Sequence, residues 1–202
     1  MNEPAPRAAT LREQLVSLPN LITYGRILAI PLVLVFMQYD SRLNAFIAAM
    51  IFAAASATDA LDGYLARKLN LISDLGKFLD PLADKLIVMG TLIMLVNLGR
   101  VSPWVVIVLL GRELIVSGLR SVAANEGLVL AARDLGKLKT AYQMAGLWAM
   151  LVHHEYTLEP FAEPFNFNRM GTWVLYLSVV LAIVSAYDYF AGFYKAVRES
   201  RS

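Results

Sequence analysis

The sequence predicts an all-α integral membrane protein with six transmembrane helices and a polar chamber at the cytoplasmic side. Three observations predict it. Of 202 residues, 58% are hydrophobic and only 17% charged, whereas an ordinary soluble domain is apolar over about half its length. Apolar stretches near bilayer length recur along the chain, and the ionisable residues inside them gather at one end of each. Cysteine is absent, which excludes disulfides, thiol nucleophiles and cysteine-held metals. The two histidines, His153 and His154, read as surface residues, so carboxylates are the plentiful metal ligands. A net charge of +2 is too mild to point to nucleic acid.

The predicted spans are residues 21–39, 43–65, 76–98, 101–123, 140–152 and 172–196. At about 1.5 Å per residue such helices cross a hydrocarbon core of about 30 Å, the fifth only if its flanks join in. Residues 1–19 are polar and rich in Pro and Ala before turning amphipathic, which predicts a cytoplasmic tail and interfacial segment, with no cleavable signal peptide. Ser17 or Asn20 is expected to cap the first helix. Residues 20–198 then form one six-helix domain and residues 199–202 a short tail.

With the N-terminus inside, the inner side carries Arg7, Arg12, Arg67, Lys68, Lys77, Arg120, Arg133, Lys137, Lys139, Lys195, Arg198 and Arg201, against Arg42, Arg100 and Arg169 outside. That excess fits the positive-inside rule and puts both termini in the cytoplasm. Arg26, the Asp59–Asp62 and Asp80–Asp84–Lys85 groups, Arg112, Glu113, Arg120, Lys137, Lys139 and Asp188 all fall at the cytoplasmic ends of their spans. Charge inside a membrane is costly and faces a cavity or another charge, so one chamber open to the cytosol is the economical arrangement.

Within TDALDGYLARKLNLISDLGKFLDPLADK, Asp59 and Asp62 are three apart and Asp80 and Asp84 four apart. Each pair therefore projects from one helix face, about 60° and 40° wide. Four carboxylates meeting across a short hairpin need compensating cations, and hard divalent ions with oxygen ligands suit them. Two such ions also bridge and activate a phosphoryl group. Gly63 leaves room for a ligand, and Arg67 suits a phosphate.

The string Asp59-x-x-Asp62-Gly63-x-x-Ala66-Arg67, followed after eight residues by Gly76-x-x-x-Asp80-x-x-x-Asp84, matches in full the signature of the CDP-alcohol phosphotransferases. The chain resembles that family over nearly its whole length. The resemblance implies a six-helix, homodimeric membrane enzyme that displaces CMP from a CDP-linked lipid such as CDP-diacylglycerol with Mg2+ or Mn2+, two ions in all. It implies that Asp59, Asp62, Asp80 and Asp84 hold the metals and that Asp84 is also the general base. It further implies that Asn20, Thr23, Asp59, Gly63, Ala66, Arg67 and Ser73 meet the CDP-lipid.

A second polar cluster bears on the acceptor. GRELIVSGLR puts Glu113 and Arg120 on one face, and GKLKTAYQ adds Lys137, Lys139, Thr140 and Gln143. With Arg112, these donors suit a phosphate dianion better than a neutral alcohol. Both strings resemble those of bacterial family members whose acceptor is glycerol 3-phosphate, which implies that acceptor and a bacterial inner-membrane location. Phosphatidylglycerol, serine or inositol phosphate are the alternative acceptors. A cation transporter with intramembrane carboxylates is the alternative outside the family, and it leaves Gly63, Ala66 and Arg67 unexplained.

Overall fold

The computed structural model describes residues 18–69, 74–126, 134–156 and 164–199. Six helices run through them: α1 (Leu18–Met37), α2 (Arg42–Leu69), α3 (Asp74–Asn97), α4 (Pro103–Asn125), α5 (Asp134–Val152) and α6 (Phe167–Glu199). Two short strands, β1 (Glu155–Tyr156) and β2 (Phe165–Asn166), pair antiparallel between α5 and α6, with Glu155 opposite Asn166. α1 and α6 are long and apolar enough to cross a membrane, each with a mean hydropathy of 1.8, and the opening of α2 is a shorter apolar helix.

One expectation is met and one needs correction. The flank of the fifth span joins it: α5 starts at Asp134 and runs for 19 residues, burying Lys139 and Gln143. Asn20 does not cap the first helix, since α1 has already begun at Leu18 and the Asn20 side chain is buried in the bundle. Ser17 and Ser73 lie outside the described residues.

The core is built from Phe52, Ile87, Leu92, Leu95, Leu109, Leu147, Met150 and Leu151, all fully buried. Leu28, Leu43, Trp104, Trp173 and Tyr194 instead face outward, each at least two-thirds exposed. Apolar residues on both faces of a helix are what a lipid surround permits. α5 packs most closely on α6, α1 lies against both α2 and α3, and α2 and α4 complete the bundle against α5 and α6 respectively.

The α5–α6 crossing depends on two glycines. A Cβ on Gly171 would lie 2.8 Å from both the Gly146 oxygen and the Met150 nitrogen, and one on Gly146 would lie 2.9 Å from the Leu175 nitrogen. Backbone meets backbone here, the contact that small residues permit between membrane helices. At the same end the strand pair is sealed by aromatics. Phe167 meets Phe165, Tyr156 and Trp148 edge-on at centroid distances of 4.9, 5.6 and 6.2 Å.

The loops at that end are tied together by polar contacts. Asp40, in the α1–α2 loop, lies 3.0 Å from His153 Nε2 and 3.7 Å from the guanidinium of Arg100 in the α3–α4 loop. His153 leaves α5 with a φ of 35°, which turns its ring back to bond the Leu151 carbonyl at 2.9 Å. Burial and the neighbouring His153 hold the His154 imidazole below the usual histidine range, so it is neutral at neutral pH.

Gly171→Ala is expected to destabilise the protein by about 1–3 kcal/mol, the range for forced overpacking. Gly118→Ala, where a Cβ meets nothing within 4 Å, is expected to be neutral or stabilising. Thermal unfolding of the two variants in detergent micelles checks the contrast.

Candidate active site

Asn20, Thr23 and Arg26 recur every three residues on α1 and form one buried polar stripe, exposed by 2%, 1% and 2%. That stripe faces the opening of α3. The Thr23 hydroxyl donates to Asp80 Oδ1, and Arg26 Nη1 contacts Asp84 Oδ1 at 3.1 Å. The Arg26 side chain is wholly buried, whereas Asp84 stays 35% exposed. A guanidinium out of water needs a carboxylate partner, so the α1–α3 contact fixes Asp84 on one side and leaves it open on the other. Pro81 lies within this turn of α3 and supplies no N–H to the ladder, while fully buried Ala83 lets the helices pack.

Asp59 and Asp62 lie on the last part of α2, which is continuous to Leu69. They are one turn apart, with Gly63, Ala66 and Arg67 on the following turns. The side chains of these five residues lie outside the described part of the structure.

Asp84 also lines a cavity of about 270 Å³ between α3, α4 and α5. Lys85, Glu113, Lys139, Thr140 and Gln143 share its wall with Val88, Met89, Leu109 and Met144. Lys139 Nζ reaches Glu113 Oε2 at 2.6 Å, and Arg112 Nη1 reaches the same oxygen at 3.5 Å. Lys85 donates to the Ser117 hydroxyl at 2.9 Å, and Arg112 Nη2 donates to Ser185 on α6 at 2.5 Å. One carboxylate thus joins two cations at the edge of a half-apolar cavity whose other polar wall is Asp84.

The structure brings Asp84, Glu113, Lys139, Thr140 and Gln143 together, with Arg112 behind them. Thr140 also bonds back to the Gly136 carbonyl at 3.1 Å. Lys137 is exposed on the first turns of α5, and Arg120 is exposed with its guanidinium 5.9 Å from the Tyr189 ring. Neither lines the cavity. Sequence reasoning placed Arg26 and Lys85 in the chamber without naming their partners, and it did not single out Ser185. The three-residue spacing from Asn20 and Thr23 was the signal for Arg26, and adjacency to Asp84 that for Lys85. Nothing in the sequence ties Ser185 to Arg112.

The donors at the head of α3 are carboxylate oxygens one turn apart, held by hydroxyl and guanidinium groups. Among the described residues no histidine stands beside them. An oxygen-only set with more carboxylates on a neighbouring helix suits hard Mg2+ or Mn2+ and not a softer metal.

Residues 16–184 match the family model described as CDP-alcohol phosphatidyltransferase, and the chain belongs to that family of transferases. Among its relatives, the CDP-diacylglycerol--glycerol-3-phosphate 3-phosphatidyltransferase of Bacillus subtilis (strain 168) is 41% identical over 199 residues, 91% of this chain and 98% of that protein. The protein of the same name from Rickettsia bellii is 36% identical over 86% of this chain and 93% of its own length. A cardiolipin synthase (CMP-forming) of Oryza sativa subsp. japonica is 37% identical over 87% of this chain, but over only 57% of its own. Together with its two membrane-length helices, the family marks the chain as a membrane protein.

Removing the carboxylate is expected to cost more stability than removing its lysine. Glu113→Leu leaves Lys139, with a side chain 4% exposed, and Arg112 facing each other uncompensated, whereas Lys139→Met leaves Glu113 paired with Arg112. A loss of about 3 kcal/mol or more is expected for the first and less for the second, checked by thermal midpoints in micelles.

Proposed function

We propose that this chain transfers the phosphatidyl group of CDP-diacylglycerol to glycerol 3-phosphate, giving phosphatidylglycerophosphate and CMP. The observation that carries this reading is the cavity in which Asp84 faces the Lys139–Glu113 pair, an acid–base group beside an anion-sized cluster of cations. The two relatives named for this reaction support the substrates.

In this reading residues 20–198 form one six-span domain of a homodimer in a bacterial inner membrane. Both tails, residues 1–19 and 199–202, lie in the cytoplasm, and the chamber opens there. Asp59, Asp62, Asp80 and Asp84 would hold two Mg2+ or Mn2+ ions, whose charge would offset that of the diphosphate and of CMP. Thr23 and Arg26 fix the two α3 carboxylates by the contacts described above. Asn20, Gly63, Ala66, Arg67 and Ser73 receive the CDP group. Lys139, Arg112, Gln143 and Thr140 hold the acceptor's phosphate, with Lys137 and Arg120 drawing it in from the cytosolic side. Glu113 keeps Lys139 and Arg112 oriented.

Asp84 accepts the proton of the acceptor's terminal hydroxyl. The new oxygen–phosphorus bond forms at the phosphorus bearing diacylglycerol as the bond to CMP breaks. The chain contributes position and charge, and no covalent intermediate is needed.

A second reading takes phosphatidylglycerol as acceptor. The apolar cavity wall of Val88, Met89, Leu109 and Met144 and the rice relative favour it.

CMP release from CDP-diacylglycerol by purified protein in micelles is expected to require both Mg2+ or Mn2+ and glycerol 3-phosphate. Release with phosphatidylglycerol in its place selects the second reading, and no release with any alcohol rejects both. Asp84→Asn is expected to lose about 10²-fold or more of turnover in its folded fraction and, because it takes the carboxylate from wholly buried Arg26, to lower the thermal midpoint as well. Near-normal activity in that variant would remove the base from Asp84.

A further inference from the structure

A second set of metal-ligating side chains lies at the far end of the bundle from Asp80 and Asp84, with most of the length of α3 between them. Asp40, His153 and His154 each offer one ligand atom, and the three atoms lie within 4.8 Å of one another. They come from two separate segments: the α1–α2 loop and the end of α5.

Ring chemistry says what the cluster wants. His153 Nδ1 lies 2.9 Å from the Leu151 carbonyl, which only accepts, so Nδ1 carries the proton. Its Nε2 lies 3.1 Å from the Arg100 Nη2 donor and 3.0 Å from the Asp40 carboxylate. A bare Nε2 accepts from Arg100 but meets a carboxylate lone pair. A protonated one donates to Asp40 but meets a guanidinium. Neither protonation state satisfies both neighbours, whereas a cation between Nε2 and the carboxylate does.

His154 brings a second bare nitrogen. Its Nε2 is buried without a hydrogen-bond partner among the described residues and lies 3.8 Å from the same Asp40 oxygen. The His153 ring is held from behind by its bond to the Leu151 carbonyl, as a metal-ligating histidine is. Separations of 3.0 and 3.8 Å bracket the roughly 3.3 Å between donors around a tetrahedral zinc ion with bonds of about 2.0–2.1 Å.

We infer that Asp40, His153 and His154 form a second divalent-metal site, of the zinc type, that clasps the α1–α2 loop to the end of α5 and that Arg100 guards. The Arg100 guanidinium stands where the positive charge is wanted and leaves when the metal enters. Its side chain is 18% exposed, on a turn made possible by Gly99 at a φ of +70°. Two imidazoles and one carboxylate leave a fourth position for water, and this donor set selects zinc over the magnesium suited to the carboxylates at the other end. The site does not depend on the function proposed above, because it shares no residue with that machinery.

The test is titration of the full-length protein in micelles with Zn2+ by calorimetry, under excess Mg2+ to occupy the carboxylates of the other end. One zinc ion per chain is expected, with a rise in thermal midpoint. His154→Gln removes a nitrogen that has no partner to lose; it is expected to keep the zinc-free midpoint and to bind at least about tenfold more weakly. Arg100→Gln is expected to bind at least tenfold more tightly. Zinc binding by His154→Gln equal to wild type, or no binding by either wild type or Arg100→Gln, overturns the site. Unchanged affinity in Arg100→Gln overturns the guard.

Discussion

A guanidinium that water does not reach must be neutralised, and Arg26 is wholly buried near the start of α1. Its partner is Asp84 on α3, at 3.1 Å. Desolvating two charges costs several kcal/mol each, so the pair is poor evidence for stability and better evidence for registry. A shift of α1 by one turn toward the end of α3 would set Arg26 beside Val88, and a shift the other way would leave Asp84 without its guanidinium. The same registry sets Thr23 on Asp80. The one contact therefore decides where both α3 carboxylates stand, and with them the cavity that Asp84 shares with α4 and α5.

The sequence was a good guide to the helices and a weaker one to their polar ends. Six apolar runs are visible in the sequence, and the core of each run survives in α1 to α6. The opening of α5 was legible only as a flank, because its lysines interrupt the apolar run that marks the span. Lys139 in fact turns inward to Glu113, a pairing across 26 positions that no periodicity records. The β1–β2 pair was hidden because two residues are too few to alternate, and what holds it is aromatic packing around Phe167.

For the site, Asp80 and Asp84 were legible from their four-residue spacing, and the structure adds what that spacing cannot, namely which helix meets them. Arg112 was read as part of the acceptor cluster. The structure shows it bridging, with one nitrogen on Glu113 and another on Ser185 of α6. Its neighbour in that reading, Arg120, lies over Tyr189 instead. The difference is geometric: the eight residues from Arg112 to Arg120 amount to about 12 Å of helix rise, more than one small acceptor spans.

The polar groups at the two ends of the bundle follow different rules. At the Asp80 end Asp80, Asp84 and Glu113 are each matched by a donor that belongs to the fold: Thr23, Arg26, and Lys139 with Arg112. Glu113 keeps Lys139 neutralised in the absence of any anion. In the proposed reading an arriving phosphate would therefore compete with a carboxylate 2.6 Å away rather than fill an empty cation. Such competition weakens binding of a lone phosphate, and it spares the chain an unpaired buried lysine between turnovers. On the proposed reading a cluster built this way would favour an acceptor that brings further contacts with its phosphate, and Thr140, beside Lys139, and Gln143, one turn on, line the cavity that would receive them.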